Sequence, residues 1–142
     1  MTLPQGFRIL AESTNYILGN AYEYGYIFDK RMGQEFYIGD SYGDPQFGLI
    51  DKNENWAMLF GHDSYLWTPA EVFPLSGYGE MFEWPYEARQ ASDLEVEILD
   101  DPWSDDCGIY LFNIGTRTVT RIRDFKKLEI PYDVHNQLKI DW

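Results

Sequence analysis

The chain has 142 residues, 44% of them hydrophobic and 18% aromatic, with 24 acidic against 11 basic side chains and a formal net charge of −13. That length supports one domain, residues 1–142, whose core needs no metal or disulfide staple, and the composition is too apolar for a disordered acidic tail. The charge stands against nucleic acid and anionic membranes as partners, because both are bound through basic surface.

Short strands separated by turn residues dominate the chain. Residues 21–28 place Tyr22, Tyr24 and Tyr26 at period two on one strand face, residues 29–33 supply a turn, and Glu35 to Ile38 return as the second arm of a hairpin. The tyrosine trio reads either as core packing or as an exposed platform. Ser41 to Pro45 is a dense turn cluster. A second hairpin follows, with residues 46–50, the polar turn 51–55 and the run from Trp56 to Phe60, and then the short apolar segment Tyr65-Leu66-Trp67. Pro69, Pro74 and Pro85, with Gly77 and Gly79, forbid a long helix between 68 and 85, where Val72, Phe73 and Leu75 can pack a loop onto the core. Residues 86–92 are predicted as one or two helical turns.

The last third is the clearest. Leu94, Val96 and Ile98 alternate with Asp93, Glu95 and Glu97, which describes a strand with one wet face. Gly108 to Phe112 is an apolar central strand and Arg117 to Ile122 its return, giving a three-stranded meander from Asp93 to Arg123. Residues 138–142 alternate as a closing edge strand. The predicted fold is mainly β, a single antiparallel sheet domain of hairpins and meanders with at most a minor helix. A faint echo links Asp44-Pro45 and Gly48 to Asp101-Pro102 and Gly108. Each unit runs acid–proline, glycine, strand, turn and return strand, as duplication or ordinary turn chemistry would give.

Residues 93–106 hold 7 acids and no base, about half of the net charge, whereas residues 107–142 hold 6 bases against 4 acids. Within that stretch Asp100, Asp101, Asp105 and Asp106 bracket Pro102, Trp103 and Ser104 in a loop between two predicted strands. Their mutual repulsion costs energy unless something compensates. Calcium is one candidate, but the alternating ligands and following glycine of a calcium loop are absent, so no metal is predicted. The remaining readings are a docking loop for a basic partner, anchored by Trp103, and a solvated loop whose acids cap turns. Glu95 and Glu97 extend the acidic face, and Trp84, in the Pro85-interrupted segment 82–86, adds an exposed aromatic. Arg117, Arg121 and Arg123 read as cross-strand partners of the acidic face rather than as a phosphate site.

No catalytic motif emerges, so the chain is read as a non-enzyme without cofactors. His62-Asp63-Ser64 holds the residue types of a triad, but adjacent residues do not reach its geometry and no nucleophile elbow is present. His62 and His135 match no zinc spacing. The single cysteine, Cys107, makes no internal disulfide, and the neighbouring Asp105 and Asp106 disfavour its thiolate, so it reads as an inert core residue. Arg8 interrupts the only apolar stretch near the start, and no run of about 18–20 apolar residues occurs, so a cytoplasmic protein is expected.

The segments Asp40-Ser41-Tyr42-Gly43-Asp44-Pro45 and Asp100 to Asp106, with the Trp56 hairpin, give the chain an overall resemblance to the acidic immunity proteins of bacterial polymorphic-toxin and contact-dependent inhibition systems. The resemblance implies a protein that blocks a cognate basic toxin domain, such as a nuclease. It transfers no functional residue. The expected partner-binding residues are Asp100, Asp101, Trp103, Asp105, Asp106, Glu95, Glu97 and Trp84. The partner is a basic protein, with the chain itself a monomer or homodimer. The alternative is a carbohydrate-binding module or small glycan-processing protein using exposed Trp and Tyr.

Overall fold

The computed structural model describes residues 2–129 and 140–142. Its strands form three consecutive four-stranded antiparallel meanders, each with its strands side by side in chain order. The first comprises β1 (Phe7–Glu12), β2 (Tyr16–Ala21), β3 (Tyr24–Asp29) and β4 (Gln34–Asp40). The second comprises β5 (Phe47–Ile50), β6 (Ala57–Phe60), β7 (Tyr65–Trp67) and β8 (Val72–Pro74). The third comprises β9 (Pro85–Ser92), β10 (Glu95–Asp100), β11 (Gly108–Asn113) and β12 (Val119–Asp124). Two single 3₁₀ turns, Ser76–Tyr78 and Glu80–Phe82, join the second meander to the third. The fold is therefore mainly β and built of antiparallel hairpins and meanders, as the turn chemistry predicted.

The second meander is the middle layer. Strand β6 explains why: it is an unbroken apolar run with all four residues buried, the pattern of a strand covered on both faces. Ala57 and Leu59 join Tyr16, Leu18, Ile27, Ile38 and Trp67 in a core against the first meander. Met58 and Phe60 face the other way, into a core with Trp56, Phe82, Val96, Ile98 and Phe112. Period-two alternation of a single strand thus serves two hydrophobic cores. Trp56 closes the second core, and its indole N–H donates to the Asp93 carbonyl at 3.0 Å, tying the second meander to the third. Glu54, in the turn before it at φ 62°, reaches the opposite way. Its carboxylate accepts from the Ser13 hydroxyl and from the Asn15 backbone N–H at 2.9 Å, which holds its pKa below the usual carboxylate range.

The first meander approaches closely where side chains are missing. Gly19 pairs with Ile9 in β1, next to a bulge between Ile9 and Ala11. A Cβ there would sit 2.1 Å from the Arg8 carbonyl oxygen, so only glycine fits.

The sequence reading differs from the structure at several points. Residues 86–92 form strand, not helix. Ala88, Arg89 and Gln90 tolerate a helix, but β10 offers a full antiparallel partner, with Glu97 opposite Arg89 and Ile98 opposite Ala88. Pairing decides a segment whose local preference is weak, and Pro85 takes the first strand position, where its missing N–H costs little. The tyrosine trio does not share one strand face: Tyr22 lies in the β2–β3 turn at φ 55°, while Tyr26 packs edge-on against Tyr37 at 5.7 Å. Gly48 lies in the first strand of its meander and Gly108 in the third of its own, so the two echoing segments occupy non-equivalent positions. Of the predicted closing strand, Leu138 and Lys139 lie outside the described residues, as does His135, and residues 140–142 form no strand.

Candidate functional site

The first strands of successive meanders lie against one another, β1 on β5 and β5 on β9. A cleft of about 910 Å³ opens where they meet. Arg8 reaches it from β1, residues 44–48 from the turn into β5, residues 84–88 from the start of β9, and Asp101 and Trp103 from the β10–β11 loop. A volume of this order suits a small ligand or a protruding segment of a partner.

Aromatic rings line it. Tyr86 and Trp103 meet edge to face at 5.7 Å and 62°. Phe47 stacks on Phe60 at 4.6 Å, which fixes that wall to the core. At the mouth Trp84 is 55% exposed, and its ring continues through His62 at 5.3 Å to Tyr42 at a further 5.8 Å. The charged lining residues are Asp44, Glu87 and Asp101 against Arg8. Arg8 is held to the wall: it donates to Asn20 Oδ1 at 3.2 Å and to the Pro45 carbonyl. Glu87 is oriented by the Trp142 indole N–H, which donates to its Oε2 at 2.8 Å. Trp142 is itself covered by the Arg89 guanidinium, 4.0 Å from the ring centre.

The β10–β11 loop folds as the turn-capping reading expected. Asp101 Oδ1 accepts the Trp103 N–H at 3.0 Å, its carbonyl accepts the Ser104 N–H at 3.0 Å, and the Ser104 hydroxyl accepts the Asp106 N–H at 3.3 Å. The same turns separate the eight expected site residues. Asp101, Trp103 and Trp84 converge on the cleft. Asp100 is buried, only 5% exposed, and does not line the cleft. Asp105 points outward and pairs with Lys127 at 2.7 Å, which holds its carboxyl below the usual range. Asp106 is exposed, and its carbonyl accepts from Arg121 at 3.0 Å. Glu95 accepts from the Ser92 hydroxyl at 2.8 Å, and Glu97 bridges Arg89 at 3.1 Å and Arg123 at 3.4 Å. Sequence reasoning missed Arg8, Asp44, Phe47, Tyr86 and Glu87 as cleft residues. The available signal was the Asp-Pro pair, since Asp44 and Pro45 stand on one wall of the cleft and Asp101 on another.

Burial raises the Asp100 carboxyl from 3.8 to about 6, with Asp101 and Glu80 adding to the rise, while the Asp101 N–H bond and Arg121 oppose it. The folded state therefore holds a proton that the unfolded chain has already lost. This contribution to stability is fully present below about pH 4 and lost as the pH rises to about 6. Asp100→Asn keeps an acceptor for the Asp101 N–H, found at 2.8 Å, and removes the buried charge. It is expected to stabilise the protein by roughly 1–3 kcal/mol at pH 7.5 and by almost nothing at pH 4. Urea unfolding at the two pH values measures this, and a gain independent of pH would contradict it.

Cys107 is buried, its thiol pushed up first by burial and then by Asp100, and it donates to the Phe125 carbonyl at 3.0 Å. The triad residue types are dispersed: Ser64 is buried and donates to the Phe82 carbonyl at 2.7 Å, and Asp63 accepts the Tyr42 N–H. Among the described residues, no group of three or more His, Cys, Asp or Glu side chains is arranged to hold a metal ion. Among the described residues, no helix is long and apolar enough to cross a membrane. No protein-family model matches the chain, and no curated protein matches it.

Proposed function

We propose that the chain is a protein-binding module, an immunity or inhibitor protein that neutralises a basic toxin domain of bacterial origin by taking part of it into the acidic, aromatic-lined cleft. The observation that carries the reading is the joining of three carboxylates and one wall-bound guanidinium with the Tyr86, Trp84 and Trp103 rings in one concavity. Aromatic anchors within a charged rim are the composition of a binding hot spot, and a net charge of −13 draws in a basic partner from a distance. The outer acids at Asp105 and Asp106 contribute to that steering rather than to contact.

Co-expression in a bacterial host with a panel of basic toxin nuclease domains tests the proposal. Rescue of growth against one member is expected for the wild type and lost for Asp101→Lys/Trp103→Ala. Rescue by that double variant equal to the wild type would remove the cleft from the account. The row of Tyr42, His62 and Trp84 favours a second reading, a sugar-stacking platform. A glycan array decides it: specific binding that is lost in Trp84→Ala supports the sugar reading, and an array without binding removes it.

A further inference from the structure

We infer that Glu87, Arg89 and Arg123 form a binding site for a tryptophan-bearing peptide segment, which the chain fills with its own Trp142 and can exchange for such a segment supplied from outside. The inference goes beyond the toxin reading and uses none of the rings that line the cleft. Three observations carry it.

The first is that each distinctive part of Trp142 has a complement. Its indole N–H donates to Glu87 Oε2 at 2.8 Å. Its ring lies under the Arg89 guanidinium, 4.0 Å from the ring centre. Its carbonyl oxygen accepts from Arg89 Nη2 at 2.7 Å and from Arg123 Nη2 at 3.5 Å. Phenylalanine has no donor for Glu87, and an aliphatic side chain gives a guanidinium no π face, so the set selects an indole. The two bonds to the carbonyl select an indole carried on a peptide.

The second is that the site is set from beneath. Glu87 and Arg89 stand two apart on β9 and so share a face, and Glu97 of β10 lies opposite Arg89. The Glu97 carboxylate accepts from Arg89 Nε at 3.1 Å and from Arg123 Nη2 at 3.4 Å. It thereby holds guanidinium groups from β9 and β12 at a spacing where both reach one carbonyl oxygen. Fixing these groups on strands in advance lowers the ordering cost of binding.

The third is that Trp142 is held as a ligand is held. Trp56 and Trp67 are 2% and 5% exposed, and each belongs to one of the two cores. Trp142 joins neither core and is half-buried, and Arg89 and Glu87 stand 53 and 55 residues before it. A surface contact of this kind opens more easily than the cores do. While it is made, the tethered residue competes at a high effective concentration, so an outside segment enters in its place and not beside it. Glu87 also lines the cleft, so exchange at this site reaches one of the cleft walls.

The test uses the full chain as Trp142→Ala, which empties the site, and the tripeptide Ile-Asp-Trp blocked at both ends, the sequence of residues 140–142. Calorimetry and the arginine Nε–H signals of the ¹⁵N-labelled protein follow the titration. The peptide is expected to bind the variant about tenfold tighter than the wild type, where Trp142 competes. Ile-Asp-Phe should bind about tenfold more weakly, and Arg89→Ala added to the variant should weaken Ile-Asp-Trp to a similar extent. Trp142→Ala should keep the far-UV circular dichroism and cooperative unfolding of the wild type. A second measurement leaves Trp142 in place: Arg89→Ala alone should move the Trp142 indole N–H signal toward that of a solvent-exposed tryptophan. The site is overturned by absence of saturable binding to Trp142→Ala, by equal binding to variant and wild type, by equal binding of the two peptides, or by a Trp142 signal indifferent to Arg89→Ala. A Trp142→Ala chain that no longer folds would also overturn it, because Trp142 would then be core. Growth rescue against toxin domains bears on none of these outcomes, so the two readings fail separately.

Discussion

Trp56→Ala is expected to lower the free energy of unfolding by about 3–5 kcal/mol, the usual cost of emptying a buried tryptophan site. Trp56 is 2% exposed and directly precedes β6 of the middle layer, in one core cluster with Met58, Phe60, Phe82, Val96 and Phe112. Its indole N–H also satisfies the Asp93 carbonyl at the β9–β10 turn. The substitution removes packing from the core shared by two meanders and takes the donor from that carbonyl. Domains of this kind are stable by only about 5–15 kcal/mol in total, so most of the margin would go. Trp56→Phe separates the two contributions: it keeps a ring in the core and loses the donor, for about 1–3 kcal/mol. Urea unfolding followed by far-UV circular dichroism reads both. A loss below about 1 kcal/mol for the alanine variant would mean that the second and third meanders are not held together as described.

Asp101→Lys is the variant with the largest expected effect on binding. It takes the charged lining of the cleft from three carboxylates and one guanidinium to two carboxylates, the guanidinium and an added ammonium. It also removes the acceptor of the Trp103 backbone N–H, found at 3.0 Å, which holds the turn that carries the ring packed on Tyr86. Association with a basic toxin domain should slow by about tenfold at low salt, and dissociation should quicken as the ring loses its support. Asp105→Lys, in the same loop but facing Lys127 and solvent, should change only the association rate, by a factor of about two, and added salt should abolish that change. Stopped-flow association at two ionic strengths distinguishes them. Equal effects of the two reversals would return the acidic loop to a diffuse electrostatic role.

How much of this was legible in the sequence depended on the range of the interaction. The hairpin from Tyr24 to Asp40, the 47–60 hairpin and the meander from Glu95 to Asp124 were readable because alternation and turn residues act between chain neighbours. Strand β9 was not, because Ala88, Arg89 and Gln90 carry little preference of their own and take their conformation from β10. The grouping of the strands into three stacked sheets was equally hidden. The clue was the unbroken run Ala57–Phe60, whose burial on both faces makes it a middle layer. In the candidate site, Trp84, Asp101 and Trp103 were accessible from local composition. Arg8, Asp44 and Glu87 were not, since they come from other meanders and meet the loop only through packing. Glu95 and Glu97 looked like open acidic surface, yet Ser92, Arg89 and Arg123 engage them. Asp100 looked like its neighbours and is instead buried, because the strand pleat turns it inward at the end of β10.

The central claim is that the cleft between the first strands is where a basic partner binds. The most direct measurement is a titration of the ¹⁵N-labelled protein with a basic toxin domain against which co-expression restores growth, observing the tryptophan indole N–H signals. Trp84 and Trp103 should shift or broaden, while Trp56 and Trp67, buried in the two cores, should stay in place. Unmoved Trp84 and Trp103 signals, with changes confined to the exposed Tyr22, Tyr24 and Tyr37 side of the first meander, would contradict it.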